Sequence, residues 1–442
     1  MTLSSRRPWR LALIWLLILG PFFFLSYGFA NYLASKRADV GSIVFAWETF
    51  IPFLSWSIVP YWTIDAFYVI SLFVCTTRKE LNIHAARLLT AQVLAVTAFL
   101  LVPLRFSFPR PEADGLTGYL FDLLSAFDKP FNQAPSLHIA LLVILWVVYA
   151  RHTPSRFRAA LHVWFVLIAV SVLTTYQHHF FDLPTGFALG WFCIWLWPDA
   201  DRPAPADPGR PTDPRRRAIG WRYAVAAVSV SVFAAYAGGA ALWLLWVSIA
   251  LAFVSLAYLF IGPSVFQKAN GRVSLAASWL LAPYLLGARV NAWLWTRRDP
   301  PYTAIRDGVW LGHIPRASEY LDGRFATIVD LSAELPIPSR VTRRVRVISF
   351  PVLDLTTPPN EILRDASGAI ERARKDGGVL VCCALGYSRS ALAVAAWLMR
   401  YTEQQTADAA LAFIGSRRPR IVASPDQLAG FHSYVRTLAT AP

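Results

Sequence analysis

Acidic residues are scarce in this chain of 442 residues: 27 Asp and Glu stand against 42 Lys and Arg, for a formal net charge of +15. Charge of either sign is scarce as well, at 16%, whereas 56% of the chain is hydrophobic and 18 residues are Trp. Such a balance excludes an ordinary soluble enzyme and a disordered chain, and is that of a membrane protein. Cysteine is almost absent. Cys75 and Cys193 lie in apolar runs and Cys382 and Cys383 are adjacent, so there is no disulfide framework. A value of +15 would suggest nucleic acid, but the basic residues cluster in short segments between apolar spans, which points to a membrane and no nucleic acid. The length suits two or three domains.

Arg6, Arg7 and Arg10 precede an apolar run, Leu11 to about Ala34. It is too long for a signal-peptide core and reads as an anchored first helix. Trp47 to Trp56 is hydrophobic but interrupted and reads as an interfacial piece. Further spans fall near Ile58–Cys75, His84–Leu104, Pro135–Ala150, Phe157–Tyr176 and Phe180–Trp197. Asp199 to Arg222, with Arg215-Arg216-Arg217, reads as a solvated linker. Two more spans fit in Tyr223 to Ile261. Val273 to Trp295 is apolar but holds Pro283, Arg289 and Asn291, and is expected to lie flat on the inner membrane surface. Soluble composition begins at Arg297. The expected division is therefore 1–198, a six-span membrane domain; 199–222, a basic linker; 223–298, two spans and an interfacial segment; and 299–442, a soluble domain. Loops carrying Arg78, Lys79 and Arg87, and Arg151, Arg156 and Arg158, fall on the side of the N-terminus, which makes that side the inner one.

The soluble part is organised around Val379 to Met399. A β-type run delivers Cys383, a tight loop follows, and a helix begins near Arg389. Loop N–H groups and the helix start then converge on one point and form an anion site, where a thiolate is favoured. Arg389 offers a planar fork for two phosphate oxygens, and Gly386 lets the backbone curl. The bland alternative is a core cysteine beside a surface arginine. Strands are expected at Val309–Leu311, Ala326–Leu331 and Val345–Val352, and helices at Glu361–Arg374, Thr406–Ile414 and Pro425–Leu438. Alternation of this kind implies an α/β sheet covered on both faces.

Cys383 to Arg389, with Ser390 after it, resembles the signature loop of the cysteine-dependent protein tyrosine phosphatases, and the domain is similar in length to their dual-specificity branch. The resemblance implies Cys383 as nucleophile, Arg389 as phosphate ligand, and the backbone of Ala384, Leu385, Gly386, Tyr387 and Ser388 as the phosphate cradle. It implies that Ser390 bonds the thiolate and that Asp354 is the general acid, with Asp330 the rival. Gly312-His313-Ile314-Pro315 resembles the family's opening strand and turn, His313 itself being structural. Where the family usually has histidine before the nucleophile, this chain has Cys382, which suggests different tuning of Cys383. Val273 to Trp295 resembles the segment preceding the catalytic domain in mitochondrial phosphatidylglycerophosphate phosphatases.

Three pieces of the membrane domain fall on one expected face, the outer one: Arg105 to Pro111, Pro135-Ser136-Leu137-His138, and His178-His179-Phe180-Phe181-Asp182. His178 and Asp182 are four apart, so on a helix start they share a side. The carboxylate would orient the imidazole for attack on phosphorus, His138 would protonate the leaving oxygen, and Arg105 and Arg110 would neutralise phosphate charge. His179 is read as a neighbour. The set is similar to the type 2 phosphatidic acid phosphatase superfamily, in its inositol phosphorylceramide and sphingomyelin synthase branch. Val172 stands where the phosphatase branch has arginine, which favours a phosphotransferase.

The fold expected is thus a multi-pass helical membrane domain followed by an α/β cysteine-phosphatase domain, a fusion familiar in bacterial inner membranes, with the phosphatase domain cytoplasmic. Neither mechanism calls for a metal or cofactor. A phospholipid or lipid phosphate is the first substrate and a phosphoprotein the second. The rival is a silent phosphate-binding module, against which the completeness of Cys383, Arg389 and Asp354 argues.

Overall fold

The computed structural model describes residues 7–199, 213–320, 323–404 and 406–439. It divides into two compact units, residues 1–201 and 202–442.

The first unit is helical: α1 Trp9–Ser35, α2 Ile58–Val74, α3 Arg78–Leu101, α4 Gly115–Phe127, α5 Leu137–His152, α6 Ser155–Thr174 and α7 Asp182–Leu196. Six of these follow the expected spans. The seventh, α4, falls in a stretch read as a connection, and buries Gly118, Phe121 and Leu124 on one stripe. The piece from Trp47 to Trp56 holds two short turns, Ala46–Phe50 and Ser55–Ser57. α5 is the inner helix, packing on α2, α3, α6 and α7. Its contact with α7 is close because α7 offers glycine: a Cβ on Gly186 would lie 2.3 Å from Ser136 O, and one on Gly190 2.7 Å from Val143 Cβ. Small residues let helix backbones approach in this way in membranes, and here they bring the start of α5 against the start of α7.

The second unit opens with α8 Pro214–Ala237 and α9 Leu244–Leu256, packed as a hairpin. The arginine run read as linker is the first turn of α8. Asp213 caps that turn, its side chain accepting from Arg215 N–H at 2.8 Å, and Pro214 sits at the first helical position, where its missing N–H costs nothing. α9 passes into a wide π turn, Ala257–Ile261. Val273 to Trp295 is not one segment: α10 Leu275–Leu280 and α11 Ala282–Thr296 are separate, with the break at Leu281 just before Pro283. Leu286, Val290, Trp293, Leu294 and Trp295 of α11 are exposed, and only Leu285, Ala292 and Thr296 are buried. Among the described residues, six helical stretches are long and apolar enough to cross a membrane, four in the first unit and two in the second; α5 is apolar but shorter.

A five-stranded sheet follows, in the order β1 Tyr302–Arg306, β2 Val309–His313, β5 Val379–Cys383, β3 Thr327–Ser332, β4 Arg346–Val352. β1 pairs antiparallel with β2 and the other pairs are parallel. β1 lies outside the expected strands; Asp307-Gly308, both at positive φ, make the tight turn joining it to β2. One face of the sheet is covered by α13 Asn360–Ala373, α14 Arg389–Tyr401, α15 Ala407–Arg417 and α16 Pro425–Ala439. The other packs Ile328, Leu380 and Cys382 against Ile337 and Val341 of the short α12, Ser339–Thr342, and the loop before it. All five residues of β5 are buried, as befits the central strand of a parallel sheet.

The sheet does not stand apart from the chain before residue 299. Lys268, fully buried, donates to Asp330 Oδ2 and Ser332 O, both at 2.6 Å, and to Leu335 O at 2.5 Å. Gly271 N–H bonds Ser349 Oγ, and Ile337 N–H bonds Gly271 O, both at 2.8 Å.

Candidate functional site

Cys383 is the last residue of β5 and Arg389 the first of α14. The loop between them turns through Gly386, at φ +74. A side chain there is excluded twice: the backbone is left-handed, and a Cβ would lie 2.5 Å from the carbonyl of Gly312. Cys383 Sγ, buried, accepts from Gly386 N–H at 3.3 Å and from Ser390 Oγ at 3.2 Å. Ala384 and Tyr387 are buried. The Tyr387 hydroxyl donates towards Trp295 O and Asp299, and Ser388 Oγ donates to Gln427 Oε1 at 2.9 Å.

Arg389 is buried and fully engaged. It donates to Val352 O at 2.7 Å and grips Glu334 with both terminal nitrogens, at 3.0 and 2.8 Å. It also reaches Asp354 Oδ1 at 3.0 Å. Two carboxylates around one guanidinium divide the work. Burial opposes the charge of Glu334, but Arg389 overrides it and holds that carboxyl below the usual range. Burial pushes Asp354 up, Glu334 adds to the rise, and Arg389 only partly offsets it. Asp354 is therefore the carboxyl that keeps its proton longer, and its side chain is 40% exposed against 5% for Glu334. The rival, Asp330, lies within the buried strand β3 and is held by Lys268 and by Ser332 N–H at 3.0 Å. Glu334 was missed in the sequence; it follows β3 with no spacing that ties it to Arg389.

Adjacent residues of a strand face opposite ways. Cys383 therefore faces the helices, and Cys382 sits in the opposite cluster with Ile328 and Leu380, its thiol pushed well up by burial. It does not line the anion cradle. His313, buried, bonds Ile314 O through Nδ1 at 2.8 Å.

In the first unit the three motifs meet. His178 Nδ1 lies 3.1 Å from Asp182 Oδ2, and Nε2 lies 3.1 Å from Ser136 Oγ. Ser136 caps α5 by accepting from Ile139 N–H at 3.3 Å, so its own proton is free to point at Nε2. In the tautomer with its proton on Nδ1, His178 donates to Asp182 and Nε2 carries the lone pair. His179 is a tie rather than a second base: Glu48 Oε2 is 2.9 Å from Nδ1, Ser107 N–H and Oγ are 3.1 and 3.0 Å from Nε2, and the ring stacks on Phe106. His138 stacks on Tyr61, ring centroids 4.3 Å apart. His138, His178, Tyr27, Asp65 and Asp128 line a cavity of about 300 Å³. Arg110 lies over Phe121 and donates to Ser125 Oγ at 3.2 Å, while Arg105 is exposed, its N–H on Gly41 O. The structure thus brings His178 and His138 to one cavity, with Asp182 behind His178, and leaves both arginines off its lining. Glu48 and Ser107, which fix the loops, carried no signal in the sequence.

Residues 309–436 match the dual specificity phosphatase catalytic domain, and residues 84–202 match the PAP2 superfamily. The chain is a phosphatase that joins a domain of each kind, and a phosphoric monoester hydrolase by class. Among solved structures it is similar to PTPMT1 in complex with PI(5)P, at 21% identity over 32% of this chain and 98% of that one, TM-score 0.30. It is likewise similar to human DUSP28, at 24% over 32% and 97%, TM-score 0.29, and to Tk-PTP in its active form, at 28% over 31% and 98%, TM-score 0.29. No curated protein matches.

Proposed function

We propose that the second unit hydrolyses a lipid phosphomonoester through a cysteinyl-phosphate intermediate. The observation that carries this is the arrangement at Cys383, whose sulfur accepts two hydrogen bonds while Arg389 lies fixed beside it. Cys383 Sγ attacks phosphorus, and the ester oxygen leaves with the proton of Asp354, which gives up Arg389 as phosphate takes that place. Arg389 and the N–H groups of residues 384–388 hold the phosphoryl oxygens. The Asp354 carboxylate then takes a proton from water as that water attacks the phosphoenzyme, and Ser390 stabilises the departing thiolate.

The lipid preference draws on α11, whose exposed Leu286, Val290, Trp293 and Leu294 suit a membrane surface. The first unit acts separately, with His178 Nε2 as nucleophile towards a lipid phosphoester, Asp182 orienting it, His138 as acid, and Arg105 and Arg110 closing on the phosphate. Val172 favours transfer to a lipid acceptor. The protein resides in a bacterial inner membrane with the Cys383 site in the cytoplasm, as the basic connections before α8 indicate. The test is turnover by the purified full chain of a glycerolipid phosphomonoester in mixed micelles against a phosphotyrosine peptide. Lipid turnover lost in Cys383→Ser is expected; peptide turnover alone would overturn the lipid reading.

A further inference from the structure

We propose that Tyr258, in the π turn that ends the α8–α9 hairpin, is a positioning residue for the Cys383 site: it holds the loop of Asp354 so that the carboxyl meets the leaving oxygen. The inference rests on the assignment of Asp354 as proton donor.

Three observations carry it. The Tyr258 hydroxyl donates to the carbonyl oxygen of Asp354 itself, at 2.9 Å, from a side chain only 2% exposed. A buried phenol has one direction available, so the bond fixes the peptide that carries the acid. Second, Leu355, the next residue, is at φ +57 although it is neither Gly nor Asn, and its side chain is exposed. A strained backbone of this kind persists only where its surroundings impose it. The loop is also held by the Arg389–Asp354 pair at 3.0 Å, by Thr356 Oγ1 to Leu353 O at 2.8 Å and by Gln427 Nε2 to Thr356 O at 2.9 Å, but of these bonds the one from Tyr258 is the one made to the Asp354 peptide. Third, Tyr258 reaches the loop from a π turn, which re-aims side chains and is frequent at functional sites. Tyr223 of α8 stacks on Tyr258, ring centroids 5.8 Å apart, and Tyr284 of α11 meets Tyr223 edge-on at 6.0 Å. A wall of tyrosines from the apolar helices therefore stands at the acid side of the site. Nothing in the signature loop, the acid loop or the matched region 309–436 would reveal it.

The test uses the full chain in detergent or nanodiscs, with Cys383→Ser as the blank. Rates are compared for an alkyl phosphomonoester, which needs the acid, and an aryl phosphate with a good leaving group, which needs it little. Tyr258→Phe removes one oxygen. It should lower the alkyl rate about 5- to 30-fold and the aryl rate less than about twofold, since one positioning bond is a fraction of a donor worth roughly 10²–10⁴. It should also move the high-pH limb of the alkyl profile to lower pH, because a loosened Asp354 gains solvent. In an Asp354→Asn background it should add nothing. Equal losses on both substrates, no loss, or full additivity with Asp354→Asn would overturn the proposal. If Asp354→Asn costs the alkyl rate and Tyr258→Phe does not, this inference fails and the acid assignment stands. If Asp354→Asn costs nothing, both fall.

Discussion

Cys383 and Arg389 could be read from their spacing because the chemistry is local: strand end, loop and helix start are one continuous stretch. What completes the site is not local. Glu334 grips Arg389 from 55 residues away, and a glutamate after a strand looks like any other. The raised Asp354 gives a pH prediction with a fixed sign. The proton donor is present below its folded pKa and lost above it, so alkyl phosphate turnover should fall as pH rises through that value. Asp354→Asn should flatten this limb and lower the rate roughly 10²- to 10⁴-fold, read from kcat/KM profiles. Gly386→Ala should abolish turnover of even an aryl phosphate, because its Cβ would strike Gly312 and the left-handed turn would open; loss of phosphate or vanadate binding checks this directly. Cys382→Ser should leave the pH profile unchanged. It should instead lower stability by about 1–3 kcal/mol, the cost of burying an unpartnered hydroxyl, as a denaturant midpoint would show.

At the scale of elements, the strands and helices of the second unit followed from apolar runs, and their order from alternation. β1 was missed although Asp307-Gly308 is a turn signal, because Tyr302–Arg306 is short and half polar. The start of α8 was missed because three arginines look like linker, whereas Asp213 and Pro214 are the helix-start signal that outranks them. Hydropathy also hid the break at Leu281. The buried Lys268–Asp330 pair joins elements that the sequence treats as strangers. Removing one partner strands a charge, so Asp330→Ala should cost about 3–5 kcal/mol. Lys268→Met with Asp330→Leu should recover much of that, in thermal unfolding of the full chain.

For the whole molecule, composition separates an apolar helical part from an α/β part, and 299 marks where charge returns. The ties from Lys268, Gly271 and Tyr258 lie before it. A protein beginning at 299 should therefore aggregate or melt early, whereas one beginning at 213, carried in detergent, should keep Cys383-dependent activity. Solubility and melting of the two, measured side by side, check the expectation. His178→Ala in the full chain should leave that activity intact.

The opposed directions of Cys382 and Cys383 carry a redox consequence. Oxidants attack a thiolate first, and enzymes of this chemistry survive when a second thiol captures the sulfenic acid as a disulfide. Cys382 is next in sequence yet on the other side of the sheet, and Cys75 and Cys193 are buried in the helical unit. Among the described residues of the second unit, no other thiol faces Cys383 to rescue it. Peroxide should thus drive Cys383 beyond the sulfenic state, or into a bond with a backbone nitrogen or an external thiol. Mass spectrometry of the treated protein should find no Cys382–Cys383 disulfide, and activity should return with added thiol only after brief exposure.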